Sequence, residues 1–82
     1  MQLKQLLSWA NIILQTMEEG IDDEEKLETF SARREKLNLA FEKLKELERE
    51  EYFLASKRLS VNREVNSALE DALHLIKYEL SD

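Results

Sequence analysis

The chain has 82 residues, with no cysteine, no proline and a single glycine, and a net charge of −6. Lack of cysteine excludes disulfide scaffolds, thiolate metal sites and cysteine nucleophiles, and the acidic balance argues against nucleic acid or an anionic membrane as the main partner. With 43% hydrophobic and 37% charged residues, the composition is that of long amphipathic helices, and the length fits one helical domain over residues 1–82.

The first apolar set is Leu3, Leu6, Leu7, Ala10, Ile13, Leu14 and Met17, whose spacing marks one face of a helix over residues 2–19. Trp9 and Ile12 fall beside or behind that face and widen the apolar sector. The segment Met1 to Trp9 lacks the apolar block of a signal peptide, and no apolar run approaches the roughly 20 residues of a membrane span. These features lead us to expect a cytoplasmic chain. Gly20 is expected to end the helix in a left-handed cap.

A restart follows immediately. Asp22 with Glu25 resembles a capping box, and Asp22 to Glu25 suit the positive end of a helix dipole. Leu27, Phe30, Leu37, Phe41 and Leu44, with Arg34 in the open slot, then repeat as a heptad seam that predicts a helix over 22–46. Extended further, that seam meets Glu48, Glu51, Arg58 and Asn62, so a phase slip places a turn within residues 45–52. The rival is one unbroken helix of nearly sixty residues in an oligomeric coiled coil. The third set, Leu59, Val61, Val65, Ala68, Leu69, Ala72, Leu73, Ile76 and Leu80, predicts a helix over 50–80. The expected fold is all-α, an antiparallel three-helix bundle with long, coiled-coil-like helices.

Chemistry is sparse. His74 is the one histidine, and no HxxxH, HExxH or ExxH spacing accompanies it. No serine sits in a glycine-flanked elbow, and one glycine cannot build a phosphate-cradling loop. Arg33, Arg34, Lys36 and Arg63 form an imaginable carboxylate-binding set, against which stands an Arg34 that buries its stem and brings its head to water. We therefore expect no enzyme, no metal and no cofactor. Residues 18–28 hold seven acids and one lysine, a run that a solvated helix start explains and that a docking patch would also use.

Glu18-Glu19-Gly20-Ile21-Asp22-Asp23-Glu24-Glu25-Lys26-Leu27, followed by Arg34-Glu35-Lys36-Leu37, resembles the acidic, glycine-containing turn and Arg-Glu-x-Leu step of FliT/FlgN-type flagellar export chaperones of type III secretion. Leu59-Ser60-Val61-Asn62-Arg63-Glu64-Val65, with Leu69, Ile76-Lys77 and Leu80, is similar to the closing helix of that group. The resemblance implies a cytosolic chaperone that holds an amphipathic helix of an export substrate in an apolar groove and prevents premature assembly. The alternative is a self-assembling structural or regulatory coiled coil.

Either reading needs a protein-binding surface, for an export substrate or a second protomer. Trp9, Tyr52, Phe53 and Tyr78 are surplus to a minimal seam, and surplus aromatics mark interfaces. Asn62 and Asn66, four apart, suit a pair of amides that fix register against a partner helix. The third helix carries two apolar edges. Leu69, Leu73 and Ile76 are expected in the core, and Val61, Val65, Ala72 and Leu75, with Asn62 beside them, are expected to line the groove.

Overall fold

The computed structural model describes residues 2–49 and 55–81. Three helices account for them: α1 (Leu3–Glu18), α2 (Glu24–Arg49) and α3 (Ala55–Leu80). They pack as the expected all-α three-helix bundle, with no strand among the described residues. α2 runs three residues past its expected end, so the phase slip at Leu47 is absorbed inside a helix. The rest of the expected turn, residues 50–52, lies outside the described residues, as do Tyr52 and Phe53.

The first turn differs from expectation in two ways. Gly20 has no positive φ, so it is not a left-handed cap. Instead α1 tightens as it ends: the amides of Glu19, Gly20 and Ile21 donate to the carbonyls of Thr16, Met17 and Glu18, each three residues back. The restart also lies one residue later than the capping-box reading places it. Asp23, not Asp22, caps α2, with its Oδ1 accepting from the Glu25 amide at 2.9 Å and its carbonyl from Leu27. The third helical position is then Lys26, which cannot return the bond, so the box is half made.

The core is a ladder of large and small side chains. α1 contributes Leu7, Ala10 and Leu14; α2 contributes Phe30, Leu37, Ala40 and Leu47; α3 contributes Val61, Val65, Ala68, Ala72 and Ile76. Four alanines among twelve let the helix axes approach closely while Phe30 and the leucines fill the space between. The bundle measures 46 × 20 × 18 Å, and its radius of gyration of 14.0 Å exceeds the ~12 Å of a compact domain this long.

Polar contacts set the register. Lys4 pairs with Glu48, Asn11 donates to Asn38, and Arg34 donates to both Asn11 and Glu18, which fixes α1 antiparallel to α2. Lys43 pairs with Glu64, Lys36 with Asp71 and Lys26 with Glu79, which fixes α2 antiparallel to α3. α1 and α3 therefore run parallel. At 1.5 Å per residue α3 is about 39 Å long and α1 about 24 Å, so the last turns of α3 pass beyond the end of α1. Ile21, partly buried in the connection, packs on the core there together with Leu75.

Candidate protein-binding surface

α3 carries two apolar seams, and the fold closes one. Val61, Val65, Ala68, Ala72 and Ile76 are buried. This corrects most of the expected assignment: Val61, Val65 and Ala72 are core, Leu69 and Leu75 are half-buried against it, and Leu73 is exposed, while Ile76 is buried as expected. Of the expected lining set, Asn62 alone is exposed. The flank toward α2 matches this rotation. Glu64 and Asp71 stand seven residues apart and meet Lys43 and Lys36, themselves seven apart on α2. Turning α3 by about 100°, one residue step on the wheel, would bury Leu73 but swing both carboxylates away from their lysines. The paired lysines and acids at heptad spacing were present in the sequence and would have given the rotation.

The second seam remains open. Leu59, Asn62, Asn66, Leu69, Leu73, Ile76 and Leu80 follow a 3-4-3-4-3-4 spacing, the pattern that meets a partner helix in a coiled coil. Leu59 and Leu80 are 53% and 72% exposed, Leu69 is half-buried, and Ile76 is shared with the core. Asn62 and Asn66 make no side-chain hydrogen bond among the described residues, so both amides are available to a partner. On α1, Lys4, Asn11 and Glu18 occupy the flank toward α2. Leu6 and Ile13 fall on the opposite flank, toward α3 and its open seam, and both are partly exposed. The side-chain hydrogen bonds and ion pairs between described residues of different helices all have α2 at one end. None of them runs directly between α1 and α3.

The expected cationic set is only partly brought together: Lys36 and Arg63 line one depression between α2 and α3, Arg33 lies near Asp71, and Arg34 faces α1. Arg34 is absorbed by Glu18 and Asn11 at 2.8 and 3.0 Å, Lys36 by Asp71 and Ser67. Arg33 lines a shallow depression with Glu70, Asp71, His74, Leu75 and Tyr78, its Nε buried without a partner. The Lys36 ammonium, donating to Asp71, holds that carboxyl below its ordinary value of 3.8 against partial desolvation, helped by the charges of Lys36, Arg33 and His74. These groups tie helices together. No cluster of three or more His, Asp or Glu side chains suited to a metal ion occurs among the described residues, and none of their helices is long and apolar enough to cross a membrane. Comparison with known proteins gives no match: no family model, curated protein or solved structure is significantly similar to this chain.

Proposed function

We propose that the chain is a helical protein-binding module that works without chemistry of its own, holding an amphipathic helix of a client protein along the open seam of α3. The observation that carries this reading is the seam itself, a regular heptad row on a helix whose core-facing side is already filled. A client helix laid between α1 and α3 would become the fourth helix of the bundle. Its apolar face would cover Leu59, Leu69, Leu73 and Leu80, and its polar edge would meet Asn62 and Asn66. Held in this way, an aggregation-prone helix is hidden from its own assembly partners. That is the action of the export chaperones the sequence resembles, and it supports a cytoplasmic role in handling a flagellar or other type III export substrate.

The test is a photo-reactive phenylalanine analogue at position 73, with position 31 on the outer face of α2 as control, in cells of the native host. The proposal expects adducts at 73 that map to one amphipathic helix of a client and vanish in a Leu59→Asp, Leu80→Asp variant that keeps its helicity. Equal labelling at 31 and 73, or adducts that survive the double variant, would refute it.

A further inference from the structure

A different face carries a second inference, independent of the client seam. α1 has no charged residue from Gln5 to Met17, thirteen residues in a chain that is 37% charged. Core packing explains this on one side only. The side turned away from the core presents Gln2, Gln5, Trp9, Ile12, Thr16 and Glu19, all exposed, with Trp9 at 52% and Ile12 at 57%. Their spacing is 3-4-3-4-3, again a helix-pairing row. Depletion of charge around an exposed aromatic is the compositional mark of an interface centre.

The row reads the same from both ends. Its spacing is symmetric, and its midpoint lies between Trp9 and Ile12. An antiparallel pairing of α1 with a copy of itself about that midpoint sets Trp9 against Ile12, Gln5 against Thr16 and Gln2 against Glu19 of the other copy. Large apolar groups meet at the centre, amides and hydroxyls meet around them, and no charge faces its like. We propose that the outer face of α1 is a two-fold interface with a second copy of this chain.

Charge and area both favour that occupant. Two molecules of net charge −6 repel, and this row is neutral between its ends, so pairing along it sets no like charges against each other. The chain exposes 6152 Å², while a monomer of 9.7 kDa typically exposes about 5100 Å². That excess belongs to the elongated bundle as a whole, and the outer face of α1, with Trp9 and Ile12 more than half exposed, is part of it.

Trp9 is the only tryptophan, so its emission reports this face alone. Sedimentation velocity and tryptophan emission of the full chain, followed from about 1 µM to about 1 mM to span weak association, should show mass rising from 9.7 kDa toward twice that value with a parallel blue shift. Ile12→Lys should abolish both while helicity persists, and Leu73→Asp should leave both unchanged. Should Ile12→Lys perturb folding, mixing equal amounts of Gln5→Cys and Thr16→Cys chains under oxidation gives the same answer: a mixed disulfide dimer well beyond the roughly twofold excess over either like pair that random pairing yields. A mass of 9.7 kDa at every concentration overturns the proposal. So does a dimer that Ile12→Lys leaves intact, that Leu73→Asp dissolves, or that links like cysteines preferentially.

Discussion

The rotation of α3 about its own axis can be tested by placing one carboxylate on each of its seams. Val65 has no exposed surface, and Leu73 is 42% exposed on the neighbouring seam. Val65→Asp removes about 1.5–3 kcal/mol of apolar burial. It also strands a carboxylate in the core, for several kcal/mol more. An 82-residue domain has a total stability of roughly 4–12 kcal/mol, so the sum takes most or all of it. Leu73→Asp forfeits only the covered part of a leucine, about 1–1.5 kcal/mol, and leaves its charge in water. For a domain of this size that lowers Tm by roughly 5–10 °C. Far-UV circular dichroism melts of both variants check the assignment. We expect Val65→Asp to be largely unfolded at room temperature and Leu73→Asp to melt cooperatively below the parent. A folded Val65→Asp beside an unfolded Leu73→Asp would show that the closed and open seams are the reverse of those described.

Gly20→Ala should be neutral or raise stability by about 0.4–1 kcal/mol, because the new methyl meets only the Met17 carbonyl at 3.8 Å and the unfolded chain loses freedom; a melt shifted downward would reinstate a left-handed cap. Asp23→Ala should cost about 1 kcal/mol, and Asp22→Ala much less, in urea titrations, since only Asp23 caps α2. Asp71 has its folded carboxyl pKa lowered by Lys36, so its contribution is present above the ordinary value of 3.8 and is lost as pH falls through the folded value. Asp71→Asn should therefore flatten the acid limb of stability against pH, and an unchanged limb would mean the pair contributes nothing.

A stop at Gly20 and a restart in the acidic run just after it were legible in the sequence, but the capping residue and the geometry of the turn were not. A glycine after an apolar row announces a stop without saying whether the chain leaves through a left-handed residue or a tightened last turn. Adjacent aspartates compete for one cap, and the choice rests on where the first helical amide falls. The three helices followed from their apolar spacing because each row had a single phase. α3 was harder: two rows lie side by side on it, and the leucines of one drew the core assignment although burying that row would also bury Asn62 and Asn66. Charge ranks them, since Lys36 and Lys43 can meet Asp71 and Glu64 in one rotation only. The turn expected within residues 45–52 was drawn too early for a related reason, and Leu47 shows it. It lies off the Leu37–Leu44 row as first drawn, yet with Ala40 it lies on the adjoining row that faces inward, and the helix continues through it.

The placement of the polar links bears on how the molecule opens. α2 and α3, equal in length and joined by three ion pairs, form a helical hairpin built from contacts between chain neighbours. α1 is ten residues shorter, and its side-chain hydrogen bonds and ion pairs to other described helices all go to α2. Detachment of α1 is thus the least costly partial unfolding open to the bundle. It would leave the hairpin standing and expose the faces that Leu7, Ala10 and Leu14 otherwise cover. Backbone amides of α1 should then exchange with solvent ahead of those in the middle of α2 and α3.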